Sequence, residues 1–321
     1  MLTKKANTLC ILRILRSYSD NDKILSMDEI INKMESDYGL QITRKTVYSC
    51  MMVLVELGYD ISIYEDNGKG YYLDSREFDQ PEVRLLMDCV YSNTAISEKQ
   101  TKYLIDKLQT FLPEYKRRKY THLSVTEGSR KSPNAEIFLN IEILDEAISY
   151  KKKVEFIYTQ YNLKKELVPK NNHTYRVSPY AIIASNDGYY LFCNDEYHED
   201  ISVYRLDKIK NIRITEERII PPPSGFSQRK YSDESVFMYS GERVRATFRC
   251  DNIILGHVID KFGTAAELTD NNDGTFTATV TGAFDGLKIW ALHYIYAAEV
   301  IEPANLRDSV IETIRHNKYS V

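Results

Sequence analysis

At 321 residues, with 43% hydrophobic and 27% charged residues, the chain is too long for one small domain and too apolar for a disordered one. Two or three folded domains are expected. A formal net charge of −4 excludes coating of nucleic acid by bulk charge but leaves room for one small basic face.

The five cysteines (Cys10, Cys50, Cys89, Cys193, Cys250) are scattered, and none forms a C-x-x-C or has a histidine at ligand spacing. Reduced thiols, no metal site and no cofactor are therefore expected. The apolar stretch of the N-terminus is broken by Arg13 and Arg16, as in an amphipathic helix rather than a signal peptide. No run reaches the roughly 20 apolar residues of a membrane span. A cytoplasmic protein without a membrane partner is the expectation.

Leu9, Ile11, Leu12, Leu15 and, at its edge, Ile14 recur at helical spacing and predict a first helix over about residues 4–18. Ser26-x-x-Glu29 is a capping box opening a second helix, with Ile30, Ile31 and Met34 inward and an end near Gly39. Thr43 is placed to cap a third helix running to Gly58, with Val47, Cys50, Met51, Leu54 and Leu57 toward the core. Next, Ile61 and Ile63 alternate, an Asp-Asn-Gly-Lys-Gly turn follows, and Tyr71, Tyr72 and Leu73 return, which is a hairpin signal. Three helices and a hairpin in this order make a winged helix-turn-helix. Its third helix would present Thr43, Arg44, Lys45, Thr46 and Tyr48 to a DNA major groove, with Lys69 in the wing. The segment resembles the N-terminal winged helix of DeoR-type bacterial regulators, particularly in its "GKGYYL" wing return.

Pro81 and Ser97 open two further helices, the second with Tyr103, Leu104, Leu108, Phe111 and Leu112 along one side. The polar stretch after them carries Lys116-Arg117-Arg118-Lys119, read as a solvated loop or as a phosphate-contacting arm. A helix with Phe138, Ile141, Leu144 and Ile148 on a stripe then leads to a run of period two. Its segments "VEFIYTQ", "KKELVP", "YRVSPYAIIAS", "GYYLFCND" and "ISVYRLDKIKNIRI" predict five short strands in a strongly bent sheet or barrel, with a hairpin turn at Asn186-Asp187-Gly188.

A helix followed by "RVSPYAI", "DGYYLF" and "VYRLDKI" resembles the WYL domain of bacterial transcriptional regulators. The Trp-Tyr-Leu triplet appears as Tyr189-Tyr190-Leu191, with an indole lost at its first position. The family's Arg falls on Arg205 and its Ser-Pro on Ser178-Pro179. The resemblance implies a sensor of nucleotides or nucleic-acid fragments. Along "YRVSPYA", Arg176, Ser178 and Tyr180 share one strand face, offering guanidinium, hydroxyl and phenol to a phosphate-bearing ligand. Arg205 would grip phosphate and Tyr189 or Tyr190 would stack on a base. Alternation sets Tyr189 and Leu191 opposite Tyr190, so one face of the triplet belongs to the core.

After the proline-rich "IIPPPSG" linker, the order βαββαβ plus a helix predicts a small ferredoxin-like domain with Trp290 in its core. It looks like the extension that commonly follows WYL domains. Arg245 and Arg249 share a strand face there and are read first as surface charge.

The expected fold is thus multidomain α+β: a winged helix-turn-helix (1–75), a helical linker with a basic loop (76–134), a small Sm-like β-barrel WYL domain (135–220) and a ferredoxin-like extension (221–321). The expected function is a ligand-responsive transcriptional regulator, a homodimer on double-stranded operator DNA, with a nucleotide or single-stranded nucleic acid as effector. The alternative is an accessory single-stranded nucleic-acid-binding protein of a defence system. An enzyme is not expected: Gly-rich phosphate loops, G-x-S-x-G and H-E-x-x-H are missing, and the run His198-Glu199-Asp200 sits in a polar turn.

Overall fold

The computed structural model describes residues 6–117, 131–185, 188–195, 201–223, 226, 241–263 and 266–318. Arg118 and Lys119 of the basic run, the Asn186-Asp187 turn and His198-Glu199-Asp200 lie outside the described residues. The chain divides into two compact units, Met1–Ser132 and Pro133–Val321.

The first unit opens with α1 (Asn7–Tyr18), α2 (Met27–Tyr38) and α3 (Arg44–Glu56). The capping box of α2 forms as the sequence predicts. Glu29 N–H donates to the Ser26 hydroxyl, and the Glu29 carboxylate accepts from Ser26 N–H at 2.8 Å. Gly39 ends the helix in the left-handed conformation at φ 66°. Ile11, Ile14, Leu15, Ile30, Met34, Val47 and Met51 make a dry core. Leu57, expected in that core, stands 69% exposed, and Leu9, at helical spacing on α1, stands 65% exposed. Cys10 takes the inward place on α1, and Leu57 falls on the residue that caps α3, where the helical phase ends.

The segment expected as a wing is smaller than a two-strand hairpin with an Asn-Gly turn. Strand β1 (Ile61–Ser62) pairs with β2 (Tyr72–Leu73), and a helical turn α4 (Tyr64–Asn67) fills the space between. Asn67 builds that turn with its side chain. Its amide donates to Ser62 Oγ, Ile63 O and Gly70 O, and its Oδ1 accepts from the Lys69 and Gly70 amides. The returning chain also pairs Tyr71 with Leu25, N to O in both directions at 2.8 and 3.0 Å. A methyl on Gly70 would stand 2.2 Å from the Leu25 carbonyl oxygen, so glycine is required by close approach.

Helices α5 (Gln80–Ser92) and α6 (Glu98–Gln109) pack around Val83, Met87 and Ile105, followed by the single turn α7 (Glu114–Arg117). Tyr103, placed on the inner side by sequence, is exposed, and Ile105 is the buried residue of that turn. The two described residues of the basic run depart from the expected arm. Lys116 is no phosphate-contacting arm but is buried against Asp20 at 2.8 Å and Asp22 at 2.9 Å, and Arg117 Nε donates to the Leu112 carbonyl.

The second unit begins with α8 (Ile137–Tyr150). Strands β3 (Lys152–Tyr161), β4 (Leu167–Ser185), β5 (Gly188–Asp195), β6 (Ser202–Arg205) and β7 (Ile209–Arg218) follow in the antiparallel order β6-β5-β4-β3-β7. The expected closed barrel is replaced, among the described residues, by a curled open sheet. In a flat sheet β6 and β3 would lie roughly 14 Å apart across three strand intervals. Here the Tyr204 ring on β6 is 5.0 Å from the Tyr158 ring on β3, and Tyr158 Oη accepts from Arg205 N–H at 3.3 Å. Bulges in β3, β4 and β7 make the bend. Side chains, not a backbone ladder, close the curl.

The chain then forms β8 (Arg243–Asp251), α9 (Leu255–Phe262), β9 (Glu267–Asp270), β10 (Thr275–Ala283), α10 (Phe284–His293), β11 (Ala298–Glu302) and α11 (Ala304–Arg315). The sheet order is β11-β8-β10-β9, all antiparallel. Helices cover one face over Phe248, Trp290, Val258 and Leu306, with Trp290 1% exposed as the sequence predicts. The other face carries Arg245 paired with Glu267 and Arg249 paired with Asp273. No helix among the described residues is long and apolar enough to cross a membrane.

Candidate functional site

Two regions carry the residues singled out by sequence. In the first unit, Thr43 caps α3 by accepting from Thr46 N–H at 3.3 Å, and its hydroxyl lies 2.9 Å from that of Thr46. Arg44, Lys45 and Tyr48 are exposed on the first turns of α3, and Lys69 is exposed in the wing. Arg44 touches Asp28 at 2.7 Å, but both side chains are more than two-thirds exposed. Such a pair is worth about 0–1 kcal/mol and is readily exchanged for another anion. A helix N-terminus with exposed cations and a hydroxyl-bearing ring is chemically suited to phosphate and base edges.

In the second unit the sequence-selected arginines are paired with carboxylates of the same unit. Arg176 on β4 sits in register beside Glu155 on β3, which sits beside Arg213 on β7. Its guanidinium donates to Glu155 at 2.6 and 2.7 Å and to Glu217 at 2.8 Å, while Arg213 takes the other Glu155 oxygen at 2.6 Å. The two arginine hydrogen bonds hold the Glu155 carboxyl below its usual range. Ser178 is 1% exposed and accepts from Ile220 N–H. Tyr180, the bulged residue of β4, donates to the Ile220 carbonyl at 2.9 Å. The face that offers guanidinium, hydroxyl and phenol is thus occupied by the chain's own residues 217–221.

Arg205 is held likewise. It makes a two-pronged contact with Asp207 at 3.0 and 3.1 Å and lies over the ring of Tyr190, its cross-strand partner. The turn Leu206–Lys208 that follows is fastened by two buried asparagines. Asn134 donates to the Asp207 and Ile209 carbonyls, and Asn140 to those of Leu206 and Ile209. Tyr190 is 5% exposed in a cluster with Ala181, Ile183, Phe192 and Ile201, Leu191 is fully buried on the other face, and Tyr189 is half-buried. The YYL triplet is therefore mainly core, with both faces of β5 covered.

The open cleft lies beside these residues, where β4 runs on past the end of β5. It has a volume of about 430 Å³ and is walled by Lys170, Asn171, His173, Tyr175 and Arg176 from β4. Asp195 and Tyr204 face them from β5 and β6. Its aromatic lining is continuous with the curl: Phe156 and Tyr175 stack at 5.7 Å and 7°, and the Tyr204 ring is 5.4 Å from Tyr175. Asp195 is 7% exposed and accepts from the hydroxyls of Ser202 and Tyr204, both at 3.2 Å. Burial, aided by Cys193 and Asp195, raises the Tyr204 phenol well above its ordinary range, so it stays a donor. Of the six ligand residues chosen by sequence only Arg176 borders this cleft. Tyr175 and Tyr204 were each one residue from a chosen arginine, and strand alternation is the signal that separates them.

A helical unit with a short two-stranded hairpin, followed by a curled five-stranded sheet and a βαββαβ unit, places the molecule among multidomain α+β proteins. Its family relations follow from two matches: residues 140–214 fit the model of the WYL domain, and residues 242–316 that of the WCX domain. Residues 140–214 are thus similar to a WYL domain and residues 242–316 to a WCX domain. Among solved structures it is similar to proteasome accessory factor B/C (PafBC) of Arthrobacter aurescens, at 14% identity and a TM-score of 0.28, over 98% of this chain and 48% of that one. It is also similar to a CRISPR Cas-related protein at 11% identity and a TM-score of 0.38, over 97% of this chain and 82% of that one. The chain spans about half the length of the PafBC structure. A search of curated proteins returns no match.

Proposed function

We propose that the protein is a transcriptional regulator that binds double-stranded DNA through the N-terminal end of α3 and the wing, and whose WYL domain senses a nucleotide or single-stranded nucleic acid. The observation that carries the reading is the exposed, cationic start of α3, with Arg44, Lys45 and Tyr48 beside the Thr43 cap, in a chain that is also similar to WYL and WCX domains. Lys69 adds a phosphate contact from the wing. A homodimer is the expected form, because two identical readers match two half-sites. The regulator acts where the DNA is, in the cytoplasm, and no catalytic step is assigned to it.

The aromatic cleft supports the sensing half of the reading. A volume near 430 Å³ is of the size that takes one small ligand, and tyrosine rings stack on any base. The same cleft favours the second reading, a single-stranded nucleic-acid-binding protein that reads no operator. One experiment separates the two. DNA fragments retained by the protein are selected from genomic DNA, then titrated against wild type and a variant carrying Arg44→Ala with Lys45→Ala. Under the proposal duplex affinity falls at least about tenfold at fixed salt, and binding of short single strands is unchanged. Unchanged duplex affinity removes α3 from the interface and leaves the second reading.

A further inference from the structure

We propose that the hairpin joining β3 and β4 is a second contact with duplex DNA, its tip lysines on phosphates and Leu163 making an apolar contact in the groove. The inference rests on the reading that the protein binds duplex DNA and adds a binding element in the second unit. Its first support is that the hairpin outruns its sheet. Strand β7 pairs with β3 only as far as Tyr158, and β5 pairs with β4 only from Val177. Thr159, Gln160 and Tyr161 pair with Pro169, Val168 and Leu167, so among the described residues the end of the hairpin is a two-stranded ribbon. A major groove about 12 Å wide admits such a ribbon.

The second support is how the tip is built. Lys165 N–H donates to the Asn162 carbonyl at 2.9 Å, and Asn162 N–H to the Glu166 carbonyl at 3.0 Å. The Asn162 side chain adds two bonds, accepting from Glu166 N–H and donating to the Glu166 carboxylate, both at 2.9 Å. Lys165 holds a left-handed φ of 66°, a place that suits glycine better than a lysine. The turn thus keeps a cation at a cost in backbone freedom.

The third support is charge. Arg176, Arg205 and Arg213 of the same sheet are paired with carboxylates. At the tip the acid of the turn, Glu166, is taken by the Asn162 amide instead. Lys164 and Lys165 are exposed and have no ion pair among the described residues. Beside them Leu163 stands wholly in solvent. Two cations next to an apolar side chain on an ordered tip complement a surface of phosphates flanking a groove.

The test titrates the full chain against the labelled duplex recovered in the genomic selection, by fluorescence anisotropy over a series of potassium chloride concentrations. Lys164→Ala with Lys165→Gly removes two phosphate contacts, so the slope of log affinity on log salt falls in magnitude by about 1.8. Leu163→Ser weakens binding at every salt concentration and leaves the slope as in wild type. Glycine suits the left-handed position, so the melting temperature of the lysine variant is expected to hold or rise, which separates lost binding from lost folding. An unchanged slope in the lysine variant overturns the inference, and a weakened Arg44→Ala with Lys45→Ala variant in the same series leaves the α3 reading standing. A lysine variant that keeps its duplex affinity but loses binding to phosphatidylserine vesicles assigns the hairpin to a lipid surface and equally overturns it. If wild type retains no duplex, both fall.

Discussion

The Lys116–Asp20 contact fixes what substitution of Lys116 must do. Both side chains are about 10% exposed, so the pair is desolvated, whereas the second contact, to Asp22, reaches a carboxylate that is 67% exposed and contributes little. Burial pushes the Lys116 ammonium down, and the Asp20 and Asp22 contacts outweigh it, leaving Lys116 above its ordinary range. Burial likewise pulls Asp20 up, and its hydrogen bonds from Lys116 and Tyr115 leave it lowered. Removing one partner of a buried pair costs about 3–5 kcal/mol because the other charge stays behind. Asp20 keeps the Asp22 and Lys23 amides and the Tyr115 hydroxyl, which places Lys116→Met near the lower end, about 3 kcal/mol. For a unit of this size that is a fall of roughly 10 °C in melting temperature. A double-mutant cycle with Asp20→Asn isolates the pair: the double variant loses less than the sum of the singles, by about 2 kcal/mol. The raised Lys116 contributes fully below its unfolded pKa and the lowered Asp20 above its own, so the contribution is flat between about pH 4 and 10. Thermal unfolding followed by circular dichroism reads these values. A Lys116→Met shift within about 0.5 kcal/mol, the size of an ordinary surface change, would show that the pair is not desolvated and refute the reasoning.

Two further predictions concern the wing and the sheet. Gly70→Ala places a methyl 2.2 Å from a backbone oxygen that cannot move without breaking the Leu25–Tyr71 pair, so it destabilises by more than about 2 kcal/mol in denaturant titration, while Gly256→Ala, where space is open, does not. Glu155, lowered by its two arginines, stabilises above its unfolded pKa of about 4.3 and loses that contribution as pH falls through the folded value. Glu155→Gln is therefore less stable than wild type at pH 7, and the difference narrows on acidification below about pH 4. A difference that does not change with pH would remove the carboxylate from the network.

Local signals were legible where one turn of chain decides the outcome. The Ser26–Glu29 box, the Thr43 cap, the Gly39 terminator and buried Trp290 are all settled by nearby atoms or by one large apolar ring. The inner face of α8 was not legible. Its buried positions are Ile137, Asn140, Leu144 and Ala147, while Phe138 is exposed. A polar Asn140 occupies the core side to satisfy carbonyls 66 and 69 residues further on, and hydropathy periodicity counts it as surface. The sites divided the same way. Arg44, Lys45 and Tyr48 sit on one exposed helical turn, as their spacing implies. Arg176 and Arg205 read as phosphate ligands by chemical type, but their partners, Glu155, Glu217 and Asp207, are chosen by strand register and a turn. The cleft joins Tyr175 and Tyr204 through a curl that no stretch of sequence contains.

Strand β4 is both wall and tether. Five residues between Lys170 and Arg176 border the cleft, and on the same 19-residue strand Ser178 and Tyr180 fasten Ile220 and Pro221, where the chain leaves the sheet toward β8. An extended strand is stiff along its length, and between Val177 and Ser185 the register yields only at the bulge containing Tyr180. Cleft and exit are thus joined by one strand, roughly 10–17 Å from Tyr175 to Ser178 and Tyr180, with a bulge at the exit end. A change at Tyr175 thus has a continuous strand, not a loop, between it and the residues that hold Ile220.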